Sequence, residues 1–265
     1  MKAKKINLAN PIERKVYSKK LQLFEQQFTY PLGEQCFKII HGTNSSYDYF
    51  SFFEQLGEPQ VFIVEKNDKI ICALCAILRD LKDHRAWYLC DYKMLKEYRG
   101  QKVYRKILFK YLWRLYLQCP NFFAINMNGV ENNRFVQYLK NIFKLLKIDA
   151  RELYLHSMCL SSLQQLRAQE PHFWQQYAVV SNRGKKEMMI EEQCCPTYHL
   201  IKRDIIEKRQ QVLHLKELTL DEIPTTSKVM FLSRSYSSLC LDDQVQKISF
   251  IGKNCTDFEM SSAEI

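Results

Sequence analysis

Apolar and polar positions follow two different periods along the first 161 residues, and the switches between them predict the secondary structure. Residues 61–78 contain two apolar runs rich in β-branched side chains on either side of Lys66-Asn67-Asp68-Lys69, which predicts a β-hairpin. Four further apolar stretches, residues 37–42, 86–94, 122–127 and 152–161, predict strands. The first part of the chain is therefore rich in sheet.

Helical spacing occupies the gaps between these strands. Residues 103–118 place Leu108, Tyr111, Leu112 and Leu115 on one face, and Pro120 follows the segment. Residues 47–57 and 131–148 also predict helices. The resulting order of strand, helix, hairpin, strand, helix, strand, helix and strand predicts a mixed α/β fold. No G-x-G-x-x-G motif is present, so a dinucleotide-binding fold is not indicated.

The pattern weakens after residue 161. Residues 177–190 predict a hairpin around Asn182-Arg183-Gly184, and residues 233–265 are polar, Ser-rich and slightly acidic, which predicts a partly unpacked tail. The sequence shows no internal repeat. We therefore expect a basic N-terminal segment (1–20), a core domain (21–161), a C-terminal extension that packs on or completes the core (162–232) and a polar tail (233–265).

Composition predicts a cytoplasmic protein with a sizeable core. The chain has 265 residues and 46% hydrophobic content. It contains no apolar run of about 18 residues, the length that a spanning helix needs. Its first twenty residues are basic and lack the apolar centre of a secretory signal.

The ten cysteines do not form a metal-binding pattern. Cys72 and Cys75 form the C-x-x-C motif, but they lie in a predicted strand, where residues three apart face opposite sides. Cys194 and Cys195 are adjacent. We therefore predict no metal site and expect buried, reduced cysteines in a reducing compartment.

The net charge of +10 is concentrated in two places. Residues 1–20 and residues 93–110 each contain seven basic residues and one acidic residue. A local polyanion site is indicated, and its ligand is a nucleic acid, a membrane surface or a phosphorylated cofactor. Positive charge is the one feature that supports a nucleic-acid ligand. The sequence shows neither interleaved aromatic and basic residues on one sheet nor a recognised helix that reads bases. We therefore expect no nucleic-acid partner.

The second basic region surrounds the sequence EYRGQKVYRKIL (97–108). Arg99-Gly100 ends a predicted strand, and a predicted helix starts at once. Turns of this kind bind anions because the N–H groups at a helix start point outward and carry partial positive charge. The sequence thus predicts a phosphate-binding turn, although it contains a single glycine.

With these motifs, segment 61–161 resembles the GNAT superfamily of acyl-CoA-dependent N-acetyltransferases. The family places R-G-x-G-x-[GA] between a strand and a helix, and Arg99-Gly100 matches its start. ENNRFVQYLK (131–140) is similar to the family's N-x-x-A-x-x-x-Y-x-K, with Tyr138 and Lys140 in register and Glu131 and Arg134 as departures. The resemblance implies an α/β fold with a GNAT-like mixed central sheet flanked by helices, here followed by a C-terminal extension.

The same resemblance implies an acyl-CoA site without a metal. Backbone groups of the strand end would contact the pantetheine, and the loop and helix start would hold the pyrophosphate. The cofactor-binding residues are then Tyr92, Lys93, Met94, Leu95, Arg99, Gly100, Gln101, Lys102, Val103, Tyr104 and Arg105, with Asn132 and Asn133 as further contacts or as helix caps. Lys102 and Tyr104 replace the family's small residues. Either Lys102 and Arg105 supply charge-assisted contacts instead, or the site is degenerate.

For chemistry, the resemblance implies that an amine attacks the thioester of acetyl-CoA, or of another acyl-CoA, directly. Tyr138 matches the family's general acid, and its other interpretation is an ordinary buried aromatic residue. Asp91 is the one acid in YLCDYKM, which makes it a candidate base, or else a strand acid paired with a lysine. Tyr47 and Tyr49 are candidates for the acceptor side.

The leading hypothesis is thus an N-acyltransferase whose acceptor is an amine-bearing small molecule or protein. The alternative is a catalytically inactive GNAT-like domain that serves as a binding or interaction module. The acceptor amine, the acyl chain length and the oligomeric state stay open at this level.

Overall fold

The computed structural model describes residues 1–32, 35–81, 84–128, 148–182, 184–206, 216–234, 244–255 and 260–265. The strands are β1 Lys2–Lys5, β2 Tyr30–Leu32, β3 Gln35–His41, β4 Glu58–Lys66, β5 Lys69–Asp80, β6 Arg85–Met94, β7 Phe122–Asn126, β8 Asp149–Met158, β9 Tyr177–Ser181, β10 Lys186–Ile190, β11 Gln193–Cys195, β12 Thr197–Lys202, β13 Lys216–Leu218, β14 Lys228–Ser233 and β15 Gln244–Lys253. The helices are α1 Pro11–Glu25, α2 Ser51–Glu54, α3 Tyr104–Ile107, α4 Trp113–Gln118, α5 Leu160–Gln169 and α6 Pro171–Gln176, and a π-helical turn at Leu108–Leu112 joins α3 to α4.

The strongly patterned segments fold as the sequence predicts. β4 and β5 form the hairpin, and Asn67 and Asp68 at its turn have φ angles of 50° and 58°, which short polar residues tolerate. β3, β6, β7 and β8 form at the predicted strands, and α3 with α4 covers the helix predicted at 103–118. The helix predicted at 47–57 is shorter in the structure, where it is α2, Ser51–Glu54.

A mixed sheet of eleven strands forms the centre of the molecule, in the order β1-β4-β5-β6-β7-β15-β8-β14-β12-β9-β13. Helices flank it. The mixed α/β fold class is therefore confirmed. The basic N-terminal segment belongs to the same body, since β1 pairs with β4 at the sheet edge.

The prediction of a polar tail is wrong for residues 244–253. They form β15, which lies between β7 and β8 and pairs antiparallel with both. Ile248 and Ile251 on this strand are fully buried. The last residues are also buried, and Glu264 binds Arg79 of β5 with an Nη2–Oε1 distance of 2.6 Å. The C-terminal segment thus completes the core.

The prediction of a hairpin at 177–190 is also wrong. β9 pairs with β12 and β13 in the large sheet, whereas β10 pairs with β3 and β11 in a second sheet of four strands, β11-β10-β3-β2. The chain passes from the large sheet to the second sheet between the end of β9 and the start of β10. It therefore places β10 next to β3 of the N-terminal region.

The two halves of the large sheet share one pairing pattern. In the first half, β5–β6 is antiparallel, β6–β7 is parallel and β7–β15 is antiparallel. In the second half, β9–β12 is antiparallel, β12–β14 is parallel and β14–β8 is antiparallel. The halves meet where β15 pairs with β8. The two halves therefore share an order of antiparallel, parallel and antiparallel pairs that the sequence does not reveal.

The cysteines described by the structure are free, and Cys72 and Cys75 are fully buried on β5. Burial raises the pKa of the Cys72 thiol to about 12, so it stays protonated. None of the described helices has the length and apolar character that crossing a bilayer requires.

Candidate functional site

A cleft opens where β6 and β7 part, and we call it the β6–β7 cleft. The parallel register joins Trp87, Tyr88 and Leu89 to Phe122, Phe123 and Ala124. In the described part of the chain, no β6–β7 pair follows Leu89 and Ala124. The two strands therefore diverge after these residues, as far as the structure describes them.

Asp91 lies at a bulge in β6. The register with β5 shifts between Ala73 and Cys75, so that the bulge lies between Cys90 and Lys93. Asp91 takes a φ of 52°, a left-handed conformation in which an L residue is uncommon unless it is Asn or Asp. A bulge of this kind redirects a side chain and ends regular pairing. Here Asp91 lies two residues after the last β6–β7 pair, which is at Leu89.

The Asp91 carboxylate belongs to a buried group of polar side chains, the Asp91 cluster: Asp91, Tyr49, Lys93, Glu25 and His41. The Tyr49 hydroxyl and the Lys93 ammonium both donate to Asp91. Lys93 Nζ also lies 3.5 Å from Glu25 Oε2, which contacts His41 Nδ1 at 2.7 Å. The other Glu25 oxygen accepts the backbone N–H of His41 at 2.8 Å. The cluster connects the cleft to α1 and β3.

Burial changes the proton affinities in this cluster. It raises the pKa of Glu25 to about 7 and lowers the pKa of His41, so the imidazole is neutral at pH 7. Burial opposes the charge of Lys93 as well, but Asp91, Tyr30 and Glu25 outweigh it and hold the pKa of Lys93 above its ordinary value. Lys93 therefore stays charged while Glu25 titrates near neutrality.

A second lysine lies beside the cluster. Lys186 of β10 is directly opposite His41 of β3, and its ammonium lies 4.5 Å from the centre of the Phe52 ring. Burial lowers the pKa of Lys186 to about 8. Lys186 also lines a cavity of about 50 Å³, together with apolar side chains that include Phe37, Ile39 and Met127. Met127, which directly follows β7, is the residue of this lining that is nearest in sequence to the β6–β7 cleft.

The loop after β6 keeps a left-handed backbone at two positions. Gly100 has a φ of 82°, and a Cβ at this residue would meet no atom within 4 Å, so conformation rather than space calls for glycine. Lys102 has a φ of 56°. This is the position where the resembling family has its second glycine. Lys102 therefore adopts the backbone conformation that a glycine would favour.

The same loop presents a concentrated positive charge to solvent. Arg99, Lys102 and Arg105 are exposed, while Val103 is buried and anchors the start of α3. Tyr104 is partly buried against the hydrophobic core, so its side chain does not extend freely over the loop. The helix start and the cations together form a positively charged surface.

Two lysines counted in the basic region at 93–110 serve other purposes. Lys93 is buried in the Asp91 cluster, and Lys110 donates to the backbone oxygen of Ala3 at 3.0 Å. The exposed charge of the loop is therefore smaller than the sequence count indicates.

The predicted site residues fall into three groups. Asp91 and the residues 92–95 lie along the β6–β7 cleft, where Tyr92 is exposed and Met94 and Leu95 are buried. Residues 99–105 form the cationic loop. Tyr138, Asn132 and Asn133 lie outside the described residues, so their roles stay predictions. The described residues contain no group of three or more His, Cys, Asp or Glu side chains arranged to hold a metal ion.

Sequence reasoning missed most of the Asp91 cluster. It considered Asp91 and Tyr49 separately, and the structure joins them by a hydrogen bond. Glu25, His41 and Lys186 had no assigned role, because a buried charged residue in α1 or β10 looks like any surface residue of its type in the sequence. The sequence did contain one signal of this cluster, because the apolar pattern of β6 is interrupted at Asp91 and Lys93.

Solved structures of GNAT proteins resemble this chain in fold. A tandem GNAT protein from the clavulanic acid biosynthesis pathway, in a structure without AcCoA, superimposes with a TM-score of 0.51 at 8% identity, over 95% of this chain and 98% of its own. The fold is of the GNAT type. An aminoglycoside 6′-N-acetyltransferase complexed with coenzyme A is similar over 56% of this chain and 85% of its own, with a TM-score of 0.31 and 11% identity.

No family model matches the chain. An uncharacterized protein of Acanthamoeba polyphaga mimivirus is 26% identical over 204 residues, which are 69% of this chain and 56% of that protein. The chain therefore spans little more than half the length of this curated relative. The GNAT fold assignment rests on the sheet and on its structural neighbour rather than on sequence identity.

Proposed function

We propose that the protein is an acyl-CoA-dependent N-acyltransferase that transfers an acetyl group, or another acyl group, to an amine by direct attack. The observation that carries the proposal is the β6–β7 cleft, which has the Asp91 bulge on its wall and the cationic loop at the end of the same strand. One strand thus leads from a carboxylate to a phosphate-binding turn.

The backbone of this region suits an extended, amide-bearing ligand. The pairing of β6 with β7 ends at Leu89 and Ala124 in the described structure, and backbone groups of Tyr92 to Leu95 would contact the pantetheine amides beyond that point. The pyrophosphate would lie at the start of α3, where helix N–H groups and the exposed Arg99, Lys102 and Arg105 concentrate positive charge. Left-handed Gly100 and Lys102 give this turn its shape.

The chemistry proceeds at the mouth of the cleft. The acceptor ammonium must lose a proton before its nitrogen attacks the thioester carbonyl. The C–N bond then forms, the attacking nitrogen loses a second proton, the C–S bond breaks, and the thiolate takes up a proton. In this proposal Asp91 would orient the amine and receive its proton, although its carboxylate is also paired with Lys93, the other interpretation that the sequence offered. Lys93 and Tyr49 fix the Asp91 carboxylate in one orientation. Tyr138, which lies outside the described residues, is the proposed donor to the thiolate.

The acceptor would approach from the cavity beside Lys186. This cavity is narrow and largely apolar, so it suits an amine on a slender chain rather than on a branched or ring-bearing carbon. The compound or protein that carries the amine is left to experiment.

A thiol-release assay over a panel of amines tests this proposal. The panel should include primary alkylamines, lysine-containing peptides and peptides with free N-terminal amines, each with acetyl-CoA and with longer acyl-CoAs. Amine-dependent thiol release by the wild-type protein is the expected result. If acyl-CoA binds but no amine stimulates thiol release, the protein is the alternative, a GNAT-like binding module, and the enzymatic proposal fails.

A further inference from the structure

The second half of the sheet contains a cleft that repeats the geometry of the first. β12 and β14 run parallel and pair from Thr197 opposite Lys228 to Leu200 opposite Phe231. No β12–β14 pair beyond Leu200 and Phe231 is found in the described part of the chain. The two strands therefore part at their carboxyl ends, as β6 and β7 do after Leu89 and Ala124.

A cavity of about 200 Å³ occupies this opening, and we call it the C-terminal cavity. Its lining includes the consecutive residues 200–202 of β12 and 231–234 at the end of β14. Successive residues of a strand face opposite sides of the sheet. Both faces therefore contribute, and the cavity lies between the parted strands rather than above one face.

The inner wall of the C-terminal cavity is apolar. Leu153, Leu200 and Phe231 are buried, and Met260 of the C-terminal segment covers them. Such a wall favours a hydrocarbon group, since burial of apolar surface stabilises the bound state by about 25 cal/mol per Å².

The polar side chains among the described lining residues are cationic or neutral. Arg151, Lys202 and Arg234 contribute positive charge, and the described lining residues include no Asp or Glu. Arg151 is held against the ring of Phe250, with 4.4 Å between the guanidinium carbon and the ring centre. Ser233 adds a hydroxyl group that lies 2.9 Å from Nε2 of the buried His156. Three cations and oriented hydroxyls at the end of an apolar slot suit one anionic head group.

We propose that the C-terminal cavity binds an anionic amphiphile, a molecule with one carboxylate or phosphate head and a short apolar body. The head lies among Arg151, Lys202 and Arg234, where charge-assisted hydrogen bonds to guanidinium groups are strong. The apolar body inserts between β12 and β14. This site is separate from the β6–β7 cleft and does not depend on the acyltransferase proposal.

Calorimetric titration with octyl phosphate and with decanoate tests the proposal and distinguishes the two head groups. Octanol, which lacks the charge, and inorganic phosphate, which lacks the chain, should bind at least about tenfold more weakly than the better amphiphile. If inorganic phosphate binds as well as octyl phosphate, the apolar slot has no role and the proposal fails.

Two variants locate the site. Arg234→Gln removes an exposed cation of the lining and should weaken binding about tenfold. Leu232→Trp fills the cavity and should abolish binding, while circular dichroism verifies that the variant folds. The matched control is Arg203→Gln, because Arg203 neighbours Lys202 but makes an exposed ion pair with Glu217 at 2.7 Å; it should leave the affinity unchanged.

A variant of the first cleft separates the two halves of the molecule. Any octyl phosphate bound at the cationic loop should be lost in Arg99→Ala, whereas the binding that Arg234→Gln weakens should be unchanged. If Arg99→Ala abolishes binding while Arg234→Gln does not, the anion binds at the loop, and the C-terminal cavity is not an amphiphile site. Acyl transfer has no part in any of these readouts.

Discussion

Asp91 combines a left-handed backbone with a buried carboxylate, and a substitution can separate the two properties. Asn accepts a positive φ almost as readily as Asp, so Asp91→Asn keeps the bulge. The amide cannot take up a proton from the acceptor amine. The structural role and the proposed catalytic role of this residue are therefore distinguishable.

We predict that Asp91→Asn lowers kcat/KM for the amine by about 100-fold, because proton transfer by a positioned base contributes on this scale. Affinity for acyl-CoA should change little. Steady-state kinetics and binding measurements test the two statements. Asp80→Asn is the matched control, since the Asp80 side chain is 82% exposed in its pair with Arg85. Full activity of Asp91→Asn would remove Asp91 from the mechanism.

Glu25 gives the Asp91 cluster a dependence on pH. Its pKa is raised by burial from 4.5 to about 7, so the folded state binds more protons than the unfolded state between these values. Wild-type stability therefore decreases as pH rises through this window, relative to a variant that does not titrate. Glu187, whose pKa burial also raises to about 7, titrates in both proteins and cancels in the comparison.

We predict that the free energy of unfolding of the wild type, minus that of Glu25→Gln, falls by an amount on the order of 2 kcal/mol between about pH 5 and about pH 7.5. Denaturant unfolding of both proteins at the two pH values measures it. Parallel pH dependences of the two proteins would show that Glu25 does not titrate in the folded state.

At the scale of elements, the sequence pattern predicted those strands and helices whose formation depends on residues close by in the sequence. The β4–β5 hairpin, β6 and the helix at 103–118 follow from apolar spacing and from turn residues such as Asn67 and Asp68. β15 was missed because its ten residues include Gln244, Gln246 and Lys247, and its burial depends on partners about a hundred residues earlier. A strand pattern does not state which strand it will pair with.

The candidate site also has one part that the sequence predicted and one part that it did not. The cationic loop is continuous in sequence, so its composition and its place after a strand were sufficient to predict it. The Asp91 cluster joins residues 25, 41, 49, 91 and 93, with Lys186 beside them. Only the folded chain brings these residues together. The sequence could therefore indicate Asp91 but not its surroundings.

β15 provides the prediction at this scale. Ile251 is fully buried between Ala124 of β7 and Ala150 of β8. Ile251→Ala should lower the free energy of unfolding by about 2–5 kcal/mol, because a cavity opens in the centre of the sheet. Lys247→Ala on the same strand is the control, with an expected loss of about 1 kcal/mol or less. Equal effects would place β15 at the surface.

At the scale of the whole molecule, the chain ties its last residues to its first sheet half. β15 comes after the strands β9, β12 and β14 of the second half in sequence, but it pairs with β7 in the first half of the sheet. β8 comes before those strands in sequence, but it pairs with β14 in the second half of the sheet. Arg79 and Glu264 add a buried ion pair between β5 and the C-terminal segment. Such exchanges of strands make the two halves mutually dependent, and we expect them to unfold together.

We predict that Glu264→Ala destabilises the whole protein by about 3–5 kcal/mol, the cost of breaking a buried ion pair by removing one partner. Unfolding followed by tryptophan fluorescence and by far-ultraviolet circular dichroism should shift by the same amount. Asp80→Ala breaks the exposed pair with Arg85 and should cost about 1 kcal/mol or less. Two separate transitions in Glu264→Ala would mean that the halves fold independently.

The most direct test of the central claim is a calorimetric titration of the folded protein with acetyl-CoA. The account predicts saturable binding that Arg99→Ala, Lys102→Glu and Lys102→Gly each weaken about tenfold through the loss of a phosphate contact. Lys102→Arg, which keeps the charge, should bind like the wild type, as should Lys19→Glu on the exposed face of α1. Absence of binding to the folded wild type at about millimolar acetyl-CoA, or equal binding by all the loop variants, would contradict an acyl-CoA site in the β6–β7 cleft.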